Sequence, residues 1–421
     1  MRSHSASTGF ILATIALDAL SFAIVIPVVP DLVMQIGHLK HAQASLWLGI
    51  IFAAFAGMQF LCAPVAGGLS DRFGRRPVLL ISLAALGLNA LLWVWVPDLW
   101  WLLGLRLVAG ALAGNIGAAT AYVADVTPPE QRARAFGLVG AMFGLGFVVG
   151  PALGGWLGSY WLRLPFLVSA GLIACNVVYG LAVLPESLPL ERRRPFAWRR
   201  ANPIGTLRLF NANGWTRRLG FAWCCGWMAL GAQQSSFILA NQMRFGWTIA
   251  ENGAALALGG ITQALVQGVL VGRITSRFGA RRTALVGYGF AVAGYLAYAL
   301  ASRTWIMLPG IMLLAVAALG NPAIQSMLSI AAGPQRQGEV QGSLSSLQGL
   351  SMVVGPVATG IVFELATRPG GPLHFPGAPF LLAALICTAG LLAILSLPDP
   401  ERIRPDPTRS ADAPEEALQT R

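Results

Sequence analysis

Charge is scarce in this sequence of 421 residues: only 11% of them are charged, whereas 56% are hydrophobic. A soluble protein of this length needs far more charge to cover its surface. The formal net charge of +12 does not come from a separate basic domain, so nucleic-acid binding is not expected. The composition is that of a protein embedded in a membrane.

Reactive and metal-binding side chains are also few. Of the four histidines, His38 and His41 are three residues apart in a polar loop, where solvated side chains are expected, so no metal site is predicted. The five cysteines are odd in number and lie in apolar segments, which argues against a disulfide framework. No Walker-type phosphate loop occurs, so ATP hydrolysis is not indicated. We expect no cofactor and no enzymatic activity.

Long apolar runs are what the sequence has in abundance, each near the roughly 20 residues that cross a bilayer as a helix. Helix is required because backbone polar groups in lipid must be satisfied within the segment. The first run contains an acid and lacks a cleavage site, so it is interpreted as a retained helix. We predict an all-α membrane protein with helices near residues 9–31, 45–68, 77–96, 99–122, 135–158, 163–184, 218–242, 251–274, 283–300, 304–328, 340–364 and 378–397.

The basic residues are distributed unevenly between the two sides of these predicted helices. Of 29 Lys and Arg, 23 lie in alternate loops and tails, five in the intervening loops, and one, Arg106, inside a helix. Positive charge collects on the cytoplasmic side of membrane proteins. The pattern therefore predicts an inner (plasma) membrane protein with an even number of spans and both termini in the cytoplasm.

An internal repeat indicates two similar halves. Arg72-Phe73-Gly74 recurs at 277–279, Gly150-Pro151 recurs at 355–356, and Gly137 recurs as Gly342, all with an offset of 205 residues. Parallel repeats with a substrate site between them are a known transporter plan. We predict two six-helix bundles and two polar segments, with residues 1–185 and 218–397 as the bundles, 186–217 as a cytoplasmic linker and 398–421 as a tail.

The loop between the second and third predicted helices, Gly67 to Pro77, holds one acid and three arginines. Such charges can bond to helix ends in one conformation and be released in another, although membrane anchoring by positive charge explains them equally well. The full pattern resembles the signature loop of the major facilitator superfamily. The resemblance implies a lock between the halves on the cytoplasmic side, in which Asp71 and Arg75 are the residues carried over. Arg72 and Asp125 are further candidates for this conformational gating.

The fifth predicted helix is rich in glycine around Pro151, which lets helices approach closely and bend, although small-residue packing is common in membranes. The run resembles the antiporter motif of drug–proton exchangers. Together with segments 17–19, 184–187 and 336–344, it is similar to the tetracycline-efflux family of drug–proton antiporters, from about residue 9 to about 397. The motif residues carried over are Gly146, Gly150, Pro151, Gly154 and Gly155.

Two ionisable residues are predicted at membrane depth, where a charge costs at least a few kcal/mol and marks function by default. Asp18 lies about ten residues into the first helix, so it is a natural proton carrier; a structural acid is the alternative. Arg106 should face the bundle interior with a partner, unless it snorkels to the outer surface. The resemblance implies that both take part in proton coupling.

Polar residues in the central helices are candidates for substrate binding: Gln59, Asn89, Gln263 and Gln233. A packing hydrogen bond is an equally good interpretation of a lone amide. By alignment with the family pattern, Asn89, Gln263 and Ala291 stand where tetracycline exporters carry titratable residues, and none of them carries a proton at neutral pH. Tetracycline is therefore a doubtful substrate, and Asp18 is the main candidate for proton coupling.

We thus expect a proton-coupled antiporter that exports a small hydrophobic or amphiphilic compound by alternating access. Its expected partners are the substrate, protons and the lipid bilayer, with no obligatory protein partner. A metabolite carrier of the same fold is the alternative, which the missing acids favour and the antiporter motif opposes. A membrane enzyme or receptor ranks below both, because the sequence contains neither a catalytic cluster at membrane depth nor a sizeable soluble domain.

Overall fold

A computed structural model describes residues 2–128, 131–193, 195, 214–332, 337–370 and 374–397, and this part of the chain consists of helices joined by short connections. We number the α-helices in chain order: α1 (Arg2–Ala23), α2 (Val29–Gly37), α3 (His41–Phe73), α4 (Arg75–Leu92), α5 (Leu99–Leu112), α6 (Asn115–Val126), α7 (Arg132–Tyr160), α8 (Leu164–Val183), α9 (Gly214–Phe245), α10 (Ile249–Leu265), α11 (Val271–Leu300), α12 (Thr304–Ala317), α13 (Gly320–Ala332), α14 (Gln337–Thr367) and α15 (Ala378–Leu395).

Local sequence explains where several helices begin. The Asp98 carboxylate accepts hydrogen bonds from the backbone of Trp100 and Trp101, so it caps α5. Thr248 and Glu251 form a reciprocal capping box at the start of α10. Gly74 separates α3 from α4 with φ of 109°, a backbone conformation that favours glycine.

Within the described residues, ten helical segments are long and apolar enough to cross a membrane. One of them, Ile249–Leu300, has 52 residues, includes a π-helical turn at Val266–Leu270, and is interrupted at Gly279, where φ is 80°. At about 1.5 Å per residue it is long enough for two passes. Helix α9 is not among the ten, but its many buried residues show that it packs inside the helix bundle. With these two additions the described helices fit the twelve predicted passes.

Three predicted helices are broken in the structure. The first continues to Gly37, beyond its predicted end at 31, and is divided by a 3-10 turn at Ile26–Val28 that includes Pro27. Proline removes a backbone donor and so interrupts an α-helix. The fourth is divided between Leu112 and Asn115, and the tenth between Ala317 and Gly320. Hydropathy does not reveal the breaks in the fourth and tenth, because those sequences are apolar on both sides of the break, whereas Pro27 marks the break in the first.

The two halves repeat each other in the positions of several helices. Helix α5 begins at Leu99 and α12 at Thr304, while α6 begins at Asn115 and α13 at Gly320, so both pairs keep the offset of 205 residues. Much of the predicted linker, at 194 and 196–213, and the tail from 398 onward lie outside the described residues.

The halves meet tightly on one side of the molecule and diverge toward the other. We call the side that carries the starts of α4 and α7 the basic side. Helices α7 and α10 form one contact between the halves. A β-carbon added at Gly260 of α10 would lie 2.9 Å from the Phe147 carbonyl oxygen of α7, and one added at Gly144 of α7 would lie 3.9 Å from the β-carbon of Ala264. At Gly140 and Gly137, nearer the basic side, an added β-carbon would meet nothing within 4 Å. At this contact the halves therefore diverge toward the basic side, which is the more open of the two sides there.

The surface of the bundle is apolar, and aromatic side chains lie exposed near the connections on the side opposite the basic side. Such amphipathic rings favour the boundary between lipid and water. The exposed aromatic residues there include Trp95, Trp100, Trp101, Trp156, Tyr160, Trp161 and Trp305.

Candidate functional site

Asp18 lies on α1 against the break between α5 and α6. The side-chain amide of Asn115, the first residue of α6, donates to an Asp18 carboxylate oxygen over 2.5 Å. Asn115 is 4% exposed, and both residues line a small cavity together with Thr14 and Phe143. The pair thus holds a carboxyl group at membrane depth in a mostly apolar setting, where gain or loss of a proton changes its interactions most.

One face of the glycine-rich helix α7 packs directly on α1. An added β-carbon at Gly146 would come 2.6 Å from the β-carbon of Ala19, and one at Gly150 would overlap Ala23. At Gly154 it would overlap the Ile24 carbonyl oxygen. The three glycines are spaced four residues apart, so they form one stripe along the helix. Larger side chains there would push away the helix that carries Asp18.

Another face of α7 packs against α10 of the other half. A β-carbon at Gly155 would lie 2.9 Å from the Ile249 carbonyl oxygen, and the Pro151 carbonyl oxygen lies against Gly253. The repeat has the same contact at Gly360, where a β-carbon would lie 2.6 Å from the Ser45 carbonyl oxygen. The predicted motif therefore serves two surfaces, one within the first half and one between the halves.

The charges of the signature loop pair within the first half in this conformation. One Arg75 Nη lies 2.6 Å from an Asp71 carboxylate oxygen, and Arg75 Nε lies 3.1 Å from one of Asp125. The Arg75 and Arg76 backbone amides donate to the Glu186 carboxylate at 2.9 and 3.3 Å. Among the described residues the ion pairs of Arg75 stay within the first half, so the lock between the halves remains a prediction.

Arg72 is exposed, and its guanidinium lies 5.0 Å from the centre of the Phe73 ring. Among the described residues it forms no ion pair, so it stands apart from the charge network around Arg75.

Arg106 lies in an aromatic environment on α5. Its guanidinium carbon is 4.4 Å from the centre of the Trp93 ring and 5.8 and 5.7 Å from those of Phe52 and Phe55. Its Nε is buried without a hydrogen-bond partner. In the described part of the chain it has no carboxylate counter-ion, so the expected partner is supplied by aromatic rings.

The four amide candidates differ in their surroundings. Asn89 is 9% exposed and donates over 2.8 Å to the Leu105 carbonyl oxygen, so its amide nitrogen is engaged inside the first half. Gln59 on α3 and Gln233 on α9 are half-buried. Gln263 on α10 is exposed, yet it lies two turns after Leu256, which packs on the core, and away from the outward-facing Ile261 and Leu265. Helix periodicity therefore places Gln263 on the face of α10 that carries Leu256.

Sequence reasoning missed several polar residues that organise these contacts. Asn115 and Glu186 have the roles described above. A buried hydroxyl cluster also crosses between the halves: the Ser45 hydroxyl donates to the Ser235 carbonyl oxygen at 3.0 Å and lies 3.0 Å from the Ser236 hydroxyl. The Ser235 hydroxyl in turn lies 3.0 Å from that of Thr359. Glu186 lies in segment 184–187, which resembles the family. The other residues form no sequence pattern that would separate them from ordinary polar residues packed in a helix bundle.

Two similar helical halves that diverge toward one side, with a carboxyl group held at membrane depth, have the architecture of a multi-pass membrane transporter. The profile of the Major Facilitator Superfamily matches residues 11–314 and 234–420, and the chain belongs to that family. Within it, the chain groups with the tetracycline resistance proteins. It is 39% identical over 378 residues to the class C protein of Escherichia coli, covering 89% of this chain and 94% of that protein.

Another relative and two solved structures are also similar to this chain over most of its length. The class G tetracycline resistance protein of Vibrio anguillarum is 34% identical over 380 residues, covering 89% of this chain and 95% of that protein. The crystal structure of the human organic anion transporter TETRAN has a TM-score of 0.69 at 25% identity and covers 93% of this chain and 99% of that one. A nucleoside transporter, at 11% identity and a TM-score of 0.78, shows the same fold over 92% of this chain and 98% of that one.

Proposed function

We propose that this protein is a proton-coupled antiporter that exports a small hydrophobic or amphiphilic compound. The observation that carries the proposal is the position of Asp18, a carboxyl group at membrane depth that hydrogen-bonds Asn115. The antiporter-like glycine stripe of α7 packs on the same helix. Membership of a family that includes tetracycline resistance proteins supports the direction of transport.

The basic side is assigned to the cytoplasm. The excess of Lys and Arg in the loops of that side supports this orientation, with both termini inside. It also supports the division into residues 1–185 and 218–397 with a cytoplasmic linker. In this orientation the described conformation is open to the cytoplasm and closed to the outside, ready to receive a substrate from within the cell.

The proposed cycle couples a proton at Asp18 to alternating access. Asn115 stands at the first residue of α6, after a break in the predicted fourth helix, so a change in the charge of Asp18 acts directly on that break. The α7 stripe transmits movement of α1 to the contact with α10. Asp71, Arg75 and Asp125 form pairs within the first half here and are available to the second half when the basic side closes.

Substrate contacts are assigned to the inner faces of the two halves. Gln263 and the half-buried Gln59 and Gln233 offer amide donors and acceptors there. Arg106, surrounded by rings, is assigned to modulation of proton coupling. Because relatives are named as tetracycline resistance proteins, tetracycline should be included in any test of transport. Asn89 is a weaker candidate for substrate contact, because its amide nitrogen already donates to the Leu105 carbonyl oxygen.

A metabolite carrier of the same fold is the second candidate. Asn89, Gln263 and Ala291 cannot carry a proton, and Ala291 packs in the buried core. The chain therefore has fewer titratable groups at these positions than the tetracycline exporters that it resembles, which favours the second candidate.

The first test is efflux in cells that lack their main pumps, measured across a compound panel that includes tetracycline, with and without a proton uncoupler. We expect resistance to at least one compound, lost on uncoupling. A well-expressed protein that protects against nothing in the panel would favour the metabolite carrier.

Asp18→Asn tests the residue that carries the proposal. We expect it to abolish proton-driven transport while the protein still inserts in the membrane, because Asn cannot exchange a proton yet keeps hydrogen-bonding capacity toward Asn115. The measurement is substrate-stimulated proton movement in proteoliposomes, with Asn115→Ala as a companion expected to retain part of the activity. Full activity of Asp18→Asn would remove Asp18 from the mechanism.

A further inference from the structure

A second carboxyl group of the membrane-spanning part lies where the two halves meet. Asp31 is on α2, near the end of the first span and on the side opposite the basic side. The Gln242 Nε2 on α9, in the second half, donates to both Asp31 carboxylate oxygens, each at 3.0 Å. Together with the hydroxyl cluster around Ser45, this pair belongs to the closed side of the molecule.

No cation neutralises Asp31 within the described residues. Helix α2 packs on α3, whose first turn contains His41, and on α5, whose cap is Asp98. On the side of the second half, the Arg244 guanidinium donates to the Tyr298 and Ala299 carbonyl oxygens. Glu251 accepts bonds from Thr248. Gln242 is therefore the described side chain that hydrogen-bonds the Asp31 carboxylate.

The pair contains one unsatisfied atom. The side-chain oxygen of Gln242, Oε1, is buried and has no hydrogen-bond partner among the residues that the structure describes. An ionised carboxylate is an acceptor only and cannot satisfy it, whereas a protonated carboxyl group carries one O–H donor. With a proton on Asp31, acid and amide can form two opposed hydrogen bonds, which satisfies Oε1 and removes an uncompensated charge from the contact. The closed side therefore fits the neutral form of Asp31 better than the ionised form.

We propose that Asp31 is a second proton-binding group of this transporter, and that a proton taken from the side opposite the basic side closes that side through Gln242. A proton from water adds to the Asp31 carboxylate and leaves again when the halves separate there. The direction within the cycle rests on the proposed export function. External protons then favour the return of the empty carrier to the conformation open to the cytoplasm, while Asp18 remains the group that carries the transported proton.

The test measures closure of that side as a function of pH, in protein without substrate or gradient. Spin labels at Gln43→Cys and Arg368→Cys, exposed positions near the ends of α3 and α14, report the separation of the halves. The native cysteines are replaced, and all measurements use an Asp18→Asn background so that Asp18 contributes nothing. Between about pH 8 and about pH 5, the closed-to-open ratio should rise as pH falls, by at most about tenfold per unit of pH for one group.

Three further substitutions decide the outcome. Asp31→Asn should remain closed at every pH, because its amide can both donate to Gln242 Oε1 and accept from Nε2. Gln242→Leu should be less closed at low pH than the background, because protonated Asp31 then has no amide with which to form the two opposed hydrogen bonds. Asp98→Asn, a matched change of an exposed acid on the same side that keeps the helix cap, should behave like the background.

The proposal is overturned if the background shows no pH response or if Asp31→Asn retains it. Failure of export in cells with an intact pH response would count against the exporter function only, because the distance measurement needs no substrate.

Discussion

The two arginine-containing turns of the molecule, residues 70–76 in the first half and 275–281 in the second, share a backbone shape but not a charge pattern. Each contains a glycine with positive φ, 109° at Gly74 and 80° at Gly279. Each places an arginine over the following phenylalanine ring, at 5.0 Å for Arg72 and 5.5 Å for Arg277. The turn itself has therefore been kept in both copies.

A third shared feature anchors each turn to the last helix of its half. Arg76 donates to the Leu181 carbonyl oxygen at 2.6 Å, and Arg281 donates to those of Leu395 and Leu397 at 3.1 and 2.8 Å. The two arginines are again 205 residues apart.

The charge network differs completely. At the offset of 205, Asp71 corresponds to Ser276, Arg75 to Ala280 and Asp125 to Ile330, so the second turn has none of the ion-pairing side chains of the first. The glycine, the ring contact and the anchoring arginine occur in both turns, so we assign them to the stability of the fold. We assign the Arg75 network to the change of conformation.

The largest expected difference between the turns is at their glycines. In Gly74→Ala the β-carbon would overlap the Glu186 carboxylate, which receives the first amides of α4, whereas at Gly279 it meets nothing within 4 Å. Both variants carry the strain of a positive φ combined with an extended ψ, a region used almost only by glycine, at a cost of about 1–3 kcal/mol. Gly74→Ala should also weaken the helix cap, worth about 1 kcal/mol. Thermal unfolding in detergent should show the lower midpoint for Gly74→Ala; equal midpoints would mean that Glu186 moves away freely.

Removal of the central cation should affect transport more than stability. Arg75→Gln loses both ion pairs and leaves Asp71 and Asp125 without their partner, so transport should fall about tenfold, equivalent to about 1.4 kcal/mol. Asp125→Asn should cost less, since Arg75 keeps Asp71. Initial rates in proteoliposomes, normalised to inserted protein, measure both. Arg281→Gln is the matched control, expected to lower the unfolding midpoint with a smaller change in rate. If it slows transport as much as Arg75→Gln, the distinction between the turns fails.

The smallest effect is expected at the exposed arginines. Arg72→Ala and Arg277→Ala each lose one contact with a neighbouring ring, worth less than about 1 kcal/mol at an exposed site. Unfolding midpoints should shift slightly and equally. A large loss of transport in Arg72→Ala alone would assign it to the predicted lock, despite its lack of an ion pair in this conformation.

Sequence predicted the helices and the repeat well, because hydrophobic length and a constant offset are properties of the chain itself. It did not predict the break at Ala113–Gly114, which occurs within an uninterrupted apolar pattern and places Asn115 beside Asp18. Helix α9 was predicted as a span near residues 218–242, although its composition is less apolar than that of the other spans. Its burial among other helices explains why it needs less hydrophobic surface.

The site was only partly accessible from sequence. Asp18, Arg106 and the α7 glycines stand out because charge and repeated glycine are unusual in a membrane helix. Glu186 and Gln242 act through partners that are 111 and 211 residues away along the chain, so only the fold brings them together. A lone Gln or Ser has no local pattern that reveals such a partner.

The hydroxyl cluster at Ser45, Ser235, Ser236 and Thr359 lowers the free energy needed to open the closed side, and this affects how fast the carrier can turn over. A hydroxyl that leaves such a cluster can bond to water instead, so the net cost of separation is only about 0.5–1.5 kcal/mol per bond. A purely apolar seam of the same area would expose surface that water does not compensate. Hydroxyl groups thus keep the contact buried and well defined when it is closed, and they reduce the free-energy cost of exposing it to water when it opens.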